Sequence, residues 1–387
     1  MNEREEYISD EFRERFGREP SVWTRAPGRV DLMGSHTDYN MGYVMTMSID
    51  RDTWIAAAPR KDSQVSIYST NIPGGATFSV HDEIAYDEEL SWTNYMRGVA
   101  AVLRAEGYTL PGFDGLVHST IPFGSGLSSS AAIEMATVQL FSHLGDLELD
   151  PVQMALIGQK AENNFVGVNT GILDQYSSVN GEDGCTLLLD CRHLSHEIVA
   201  MPPGIQVVIC NTRAERNLTG TEYDERRAQC EEGVRLLQKY DPDVTALRDV
   251  SPVMFAQHRQ ALPEIIARRC QFIIEENQRV LDLAEVLPQG DPGTLKRLFT
   301  ESYQGARDLY EIGAPAMAAM MKAMSSAPGV VAARQAGAGF GGSMVALVKN
   351  GFQEPFAAHV ADAYERETGI PPEVYPVKAA PGAMVMR

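Results

Sequence analysis

"GRVDLMGSHTDYN", residues 28–40, sets an arginine, a histidine and two aspartates within thirteen positions. Gly28, Gly34 and Asn40 punctuate it, and the run Val30-Asp31-Leu32-Met33 is largely apolar. Two readings follow from the residues. The stretch is a charged surface turn in which Arg29 pairs with Asp38 and His36 is a satisfied surface residue. Alternatively it is a strand that delivers polar groups into a pocket. Taken in isolation, the local chemistry allows both.

The rest of the chain sets the frame for that choice. At 387 residues it is too long for one small core and suits two lobes. The stretch Pro202-Pro203-Gly204 marks the boundary, giving an N-terminal lobe over 1–203 and a C-terminal lobe over 204–387. The formal net charge is −19, from 52 acidic and 33 basic residues, which argues against nucleic-acid and anionic-membrane partners. No uninterrupted apolar run approaches the roughly 18 residues that span a bilayer. The start, "MNEREEYISDEFRERFG", lacks the apolar segment of a signal peptide and reads as an amphipathic helix, so the expected location is cytoplasmic. Cys185, Cys191, Cys210, Cys230 and Cys270 form no C-x-x-C pair, and no histidines sit at zinc spacing. They read as reduced, mostly buried small hydrophobes.

Along the chain, "SVWTRAPGRVDLMG" has strand character, and "GYVMTMSIDRDTWIAAAPR" with "SQVSIYSTN" predicts two or three short strands. "SWTNYMRGVAAVLRAEG" has helical spacing and a stop at Gly107. "GFDGLVHSTIP" is a strand, and a glycine-serine loop with an apolar-periodic helix follows it. "DPVQMALIGQKAENNFVG" predicts another helix, with Asp150 as N-cap before Pro151. A β-rich stretch over 185–212 leads into a mainly helical second half. The tail alternates a helix at 315–326, a strand-loop-strand, a helix at 353–366 and a last strand, which implies a second α+β lobe.

Three further segments have chemical potential. In "PFGSGLSSSAA", residues 122–132, Gly124 and Gly126 let the backbone approach an anion, and Ser128, Ser129 and Ser130 add donors. The helix that follows points its unpaired N–H groups at the same spot. No lysine follows, so this is not the common P-loop, and a flexible capped connection is the plainer reading. In "GVNTGILDQYSS", residues 167–178, Asp174 is either a capping carboxylate or a base held in a pocket. In "AGAGFGGSMV", residues 336–345, four glycines around Phe340 permit close backbone approach or a tight hairpin turn.

The order of these segments settles what each leaves open. "APGRVDLMGSHTDYNMG", "PFGSGLSSSAAIEMA", "GILDQYSS" and "GAGFGG" occur in the sequence and spacing of the GHMP kinases, and the first resembles the galactokinase signature. Lesser matches, among them "NYMRGV", "LLLDCRHL", "TEYDERRAQCEE" and "RDLYEIGAP", extend the resemblance over nearly the whole chain.

The resemblance implies an α+β, two-lobed GHMP kinase fold with the active site in the interlobe cleft. It implies a monosaccharide substrate and ATP with Mg²⁺, in a monomer or weak homo-oligomer. ATP phosphates would sit over Gly124, Gly126, Ser128 and Ser129. The metal would be held by Ser129 or Ser130, with Ser130 preferred, together with Glu162 of "KAENNF". Those are hard oxygen donors, as Mg²⁺ prefers. Asp174 would take the C1-hydroxyl proton, and Arg29 would hold Asp174 ionised and stabilise the transferred phosphoryl group. Ser35, His36, Asp38, Gly171 and Tyr223 match positions that contact the sugar.

One position departs from the pattern. Galactokinases usually have "GEHTDYN" where this chain has "GSHTDYN", so Ser35 replaces a glutamate that faces the C6 hydroxyl. Removing a carboxylate there favours D-galacturonate over D-galactose, with L-arabinose a further alternative. "GILDQ" and the alanine between the glycines of the last motif also resemble plant galacturonate kinases. A non-catalytic sugar sensor fits less well, because Arg29, Glu162, Asp174 and the serine run are all present. A mevalonate or homoserine kinase also fits less well, because "HTDYN" is the sugar-kinase form.

Overall fold

The computed structural model describes residues 3–214, 221–337 and 339–386; the first two residues of the expected opening helix and Ala338 of the glycine motif lie outside that range. Helix α1 (Glu3–Phe16) precedes strand β1 (Val22–Met33), which has the "RAPGRVDLM" stretch at its centre. Strand β2 (Tyr43–Pro59) runs back against β1, followed by β3 (Gln64–Ser69) and β4 (Gly75–Ser79). The two or three short strands expected over 42–60 and 63–71 are two, β3 and a β2 that runs unbroken through 17 residues. Its polar middle, Asp50-Arg51-Asp52, reads locally as a turn. Distant partners satisfy it instead: Asp52 takes Arg4 and Arg25, and the Asp50 N–H reaches the Lys378 carbonyl.

Helix α2 (Asn94–Ala105), strand β5 (Phe113–Ser119) and helix α3 (Ser129–Gly145) follow as the spacing predicts. Helix α4 (Pro151–Lys160) begins with a capping box in which the Asp150 side chain accepts from the Gln153 N–H, so that expectation holds. The helix does not run on to 166 in regular form. It widens into a turn of i→i+5 bonds over Ala161–Val166, a rare conformation found mostly at functional sites. Helix α5 (Leu173–Asn180) and strands β6 (Cys185–Asp190) and β7 (Ser195–Ala200) complete this half.

The second half opens with β8 (Ile205–Asn211), then α6 (Thr221–Leu237), α7 (Pro252–His258), α8 (Glu264–Val286), α9 (Pro292–Asp308) and α10 (Pro315–Ser325). Strands β9 (Val330–Gln335) and β10 (Ser343–Lys349), helix α11 (Gln353–Thr368), and strands β11 (Glu373–Val377) and β12 (Met384–Val385) end it.

Two sheets result. One is eight-stranded, ordered β12-β1-β2-β5-β3-β4, with β6 also pairing β2 and β7 pairing β6. The other is four-stranded, ordered β11-β8-β10-β9. The chain's last strand thus closes back onto the first sheet, through Thr24 and Arg25 of β1.

Burial explains the placement of β1. Ile8 and Phe12 of α1 pack with Trp23, Trp54 and Leu116 on one side, and the Thr24 hydroxyl reaches the Ala136 carbonyl of α3. Further along, Val30, Leu32 and Met33 share a core with Val280, Leu283, Phe299 and Val345 from the second half. A strand buried on both faces needs no hydrophobic alternation, which is why the polar residues it does carry stand out. Cys191, Cys210, Cys230 and Cys270 are buried, Cys185 is half-buried, and all five are unpaired thiols. Among the described residues no helix is long and apolar enough to cross a membrane.

Candidate active site

Strand β1 carries Arg29 into the space between the glycine-serine loop and α5. The β1–β2 register shifts between Pro27 and Arg29, a bulge at Gly28 that re-aims the next side chain. Only glycine fits there, because a β-carbon would strike the Leu127 carbonyl, which accepts the Arg29 N–H at 3.1 Å. The Arg29 guanidinium donates to Asp174 Oδ1 from Nε at 2.9 Å and from Nη2 at 2.5 Å, and to the Gly126 carbonyl at 2.8 Å. Burial works against the Arg29 charge, yet Asp174 and Asp31 together push its pKa above the ordinary value. This is a charge-assisted fork at the first turn of α5, where the helix dipole also favours a carboxylate.

The loop between β5 and α3 has the shape that anion binding asks for. Gly124 and Gly126 are left-handed, at φ 69° and 78°, and so is Ser128, at 60°. A serine held there is unusual and marks a backbone determined by its surroundings. The Ser128 side chain, expected among the phosphate contacts, instead donates to Asp174 Oδ2 at 2.7 Å. Asp174 therefore sits between Arg29 and Ser128, and the loop that would cradle phosphates is tied to it by both. Helix α3 then starts at Ser129, with its first N–H groups at this end of the loop.

Behind the loop, the Ser130 side chain lies close enough to Glu162 to favour its charged form, so those two expected metal ligands do come together. Glu162 is only 4% exposed, and its Oε2 also accepts from Thr170 Oγ1 at 2.7 Å and Gln175 Nε2 at 2.8 Å. The same Gln175 amide reaches the fully buried Glu134 at 2.9 Å. Burial, then the neighbouring charge of Asp174, raises the Glu162 pKa; burial and Glu162 raise that of Glu134 well above the carboxylate range. Oxygen donors whose negative charge is poorly compensated suit a hard divalent cation, so Ser130 and Glu162 fit Mg²⁺. The widened turn at the end of α4 is what carries Glu162.

On the sugar side, His36 is held in a left-handed conformation (φ 67°), with its carbonyl accepting from Asn40 Nδ2 at 2.9 Å. Its ring lies 5.5 Å, centre to centre, from Tyr223 at the start of α6. Asp38 lies against Gly171: a β-carbon at that glycine would overlap the Asp38 carboxylate. Burial pushes the Asp38 carboxyl up to about 6, with the Asp174 charge adding to it and backbone N–H donation and Arg29 opposing. Tyr223 is raised well above the phenol range, first by burial and then by Asp38 and Asp174. Arg29, His36, Asp38, Gly171, Asp174 and Tyr223 thus converge from both halves of the chain.

Ser35 is placed differently from the expectation that it faces a sugar. It is 3% exposed, its hydroxyl donates to Asp31 Oδ2 at 2.9 Å, and it accepts from Arg334 Nη2 at 2.8 Å. Its only proton is therefore committed to Asp31. Arg334 is fully buried, 3.9 Å from Asp31 and 3.4 Å from Glu276, and the Gly337 N–H donates to Asp31 Oδ1 at 2.5 Å. This buried charge network joins the end of β1 to the glycine loop after β9.

Sequence reasoning missed Thr170, Gln175, Asp31, Arg334 and Glu276. Gln175 and Asp31 stood inside quoted motifs, next to residues that drew the reading away. Arg334 and Glu276 lie 299 and 241 residues from Ser35 and carry no local signal.

Comparison with known proteins bears directly on this constellation. Three family profiles match: the galactokinase galactose-binding signature at residues 10–59, the GHMP kinases N terminal domain at 94–182 and the GHMP kinases C terminal domain at 283–365. The chain is 40% identical to a galactokinase of Roseiflexus sp. (strain RS-1) over 375 residues, covering 97% of this chain and 95% of the relative. It is 40% identical to a galactokinase of Chloroflexus aggregans over 358 residues, covering 92% of each. Among solved structures, Lactococcus lactis galactokinase complexed with galactose superposes with a TM-score of 0.92 at 33% identity, covering 98% of this chain and 99% of that one. Methanococcus jannaschii mevalonate kinase shares the fold at 15% identity, with a TM-score of 0.65 over 92% of this chain and 98% of its own.

Proposed function

This chain belongs to the galactokinase family of GHMP kinases and is an ATP-dependent sugar kinase, and we propose that it phosphorylates the C1 hydroxyl of D-galactose. The observation that carries the reading is the Asp174 carboxylate, gripped by Arg29 and Ser128 at the mouth of the glycine loop. Phosphoryl transfer demands alignment and charge stabilisation more than covalent chemistry, and this cluster offers both.

Asp174 receives the C1-hydroxyl proton or holds that hydroxyl in line for attack. Arg29 pairs with Asp174 and faces the charge that builds during transfer. The backbone N–H groups of the loop and the start of α3 bind the ATP phosphates, with Gly124, Gly126 and Ser129 framing them. Ser130 and Glu162 hold Mg²⁺, which when bound neutralises phosphate charge. His36, Asp38, the Gly171 backbone and Tyr223 read the sugar hydroxyls, and leaving any of these buried groups unpaired is how the site rejects other sugars.

The preference for D-galacturonate expected from Ser35 gives way to D-galactose. The relatives at 40% identity are galactokinases. The charge around Ser35 also argues against a sugar carboxylate, since the nearby cation, Arg334, already has Asp31 and Glu276 beside it. A C6 carboxylate would lose its hydration there and add a third negative charge around that one cation.

The test is ATP consumption with Mg²⁺ against D-galactose, D-galacturonate, L-arabinose and D-glucose. The expected result is a kcat/KM for D-galactose at least about tenfold above every other sugar, one good hydrogen bond's worth or more of discrimination. A lead for D-galacturonate would reinstate a C6-altered pocket. Silence across the panel would leave a non-catalytic sensor.

A further inference from the structure

Gln175 stands beside Asp174 at the start of α5, fully buried, and its amide nitrogen bridges two carboxylates. Nε2 donates to Glu162 Oε2 at 2.8 Å and to Glu134 Oε2 at 2.9 Å. Glu162 is carried by the widened turn after α4, and Glu134 by α3, where it lies one turn beyond Ser130 on the same helix face. One amide therefore knits together the three elements that carry Ser130, Glu162 and Asp174. Gly158 of α4 lets them approach, since a β-carbon there would strike Met135 of α3 and press on Gln175.

The neighbours of that amide fix its orientation. Only its nitrogen has hydrogens, two of them, and both are committed to carboxylate oxygens. The bridge holds whatever the charge of Glu134, because Oε1 can carry a proton while Oε2 still accepts. On Glu162, Thr170 Oγ1 donates to the same Oε2 at 2.7 Å. Two donors on one oxygen stop the carboxylate from turning about its last bond, so its remaining lone pairs keep one direction. The arrangement costs stability, since Gln175 Oε1 and Glu134 Oε1 are buried without a hydrogen-bond partner among the described residues. Apolar side chains of the same size would leave no such orphans, which sets this pair apart from ordinary packing.

We propose that Gln175 is a positioning residue that aims Glu162 at the cation, with Glu134 as the anchor that keeps the Gln175 amide in place. The proposal rests on the reading of Glu162 as a Mg²⁺ ligand and extends it to the residues behind that ligand. Metal-binding carboxylates depend on such outer partners for their direction, and losing one typically weakens metal binding by about 10–100-fold. Because the two residues act through Glu162, their loss should fall on the metal and leave sugar binding nearly untouched.

The experiment is EPR titration of Mn²⁺, in place of Mg²⁺, into the full-length protein with a non-hydrolysable ATP analogue, alongside steady-state kinetics with Mg²⁺. Gln175→Met keeps the length of the side chain and removes both donors. Its Mn²⁺ affinity should fall about tenfold, and the Mg²⁺ concentration for half-maximal rate should rise to match. The KM for D-galactose and kcat at saturating Mg²⁺ should stay within about threefold of wild type. Glu134→Gln still offers an oxygen to the amide and should stay within about threefold in Mn²⁺ affinity, whereas Glu134→Leu should match Gln175→Met. Thr170→Val, on the half-buried loop after the widened turn, should lower Mn²⁺ affinity about threefold, and it keeps the test open if Gln175→Met does not fold. Mn²⁺ affinity unchanged in both Gln175→Met and Thr170→Val overturns the proposal. So does a D-galactose KM or saturated kcat impaired as strongly as metal affinity, since loosened packing alone would give that. A Glu162→Gln protein with wild-type Mn²⁺ affinity would instead overturn the metal-ligand reading beneath it.

Discussion

Asp174→Asn is expected to lower kcat by about a thousandfold while ATP and D-galactose still bind within about threefold of the wild-type affinity. The substitution keeps the shape of the side chain and removes its charge. Asp174 Oδ1 takes both the Nε and Nη2 of Arg29, and Oδ2 takes the Ser128 hydroxyl. An amide can satisfy one of these sides but turns an N–H toward the other, so it loses both the proton acceptor and the full counter-charge to Arg29. The loop and the start of α3 are otherwise untouched, which is why nucleotide binding should survive. Arg29 also keeps Asp31 as a nearby negative charge, so the fold should tolerate the change. Single-turnover kinetics, with calorimetric titration of each substrate, separate the two effects. Turnover within about tenfold of wild type would remove Asp174 from the chemical step.

The second large effect concerns stability. Ser35→Glu is expected to destabilise the protein by about 3–5 kcal/mol, because it adds a carboxylate beside Asp31 in a closed, already neutralised network. Ser35 Oγ is 2.9 Å from Asp31, and neither residue has appreciable exposure. Asp31→Asn should also destabilise, since it leaves buried Arg334 with only Glu276 as a counter-charge. Combining the two should restore much of the loss: the introduced glutamate then supplies the charge that Asp31 gave up, and the new amide can donate to it. The double-mutant cycle should therefore show a favourable coupling of about 2 kcal/mol or more. Urea unfolding of the four proteins measures it. A stable Ser35→Glu single variant, or additive losses, would mean that Arg334 does not need one carboxylate at either of these two positions. The outcome bears on the motif itself, because a chain with serine where galactokinases usually have glutamate keeps a negative charge on that arginine through Asp31.

The motif order was legible in the sequence, and with it the residues that converge: Arg29, His36, Asp38, Gly171 and Asp174 all lie in quoted segments. Their partners were not. Local pattern placed Ser128 with the phosphates because serines at a helix start usually cap or bind anions. Its left-handed backbone, a product of tertiary packing, turns the hydroxyl to Asp174 instead. The same limit explains β2, whose Asp50-Arg51-Asp52 run has the composition of a turn until Arg4, Arg25 and the Lys378 backbone arrive from elsewhere. Helical spacing located α4 but gave no sign of the widened turn that carries Glu162. Ser35 shows the limit most plainly. Its motif position says that it faces a sugar, while its hydroxyl is engaged by Asp31, four residues back, and by Arg334, a residue that no local pattern connects to it.

Transfer of phosphate to the anomeric oxygen of D-galactose is open to direct observation by ³¹P NMR of the reaction with ATP and Mg²⁺. A sugar phosphate signal split into a doublet by a single proton, that of C1, is the predicted result. A triplet from a phosphate on a CH₂ group, or ADP formed with no sugar phosphate, would contradict it.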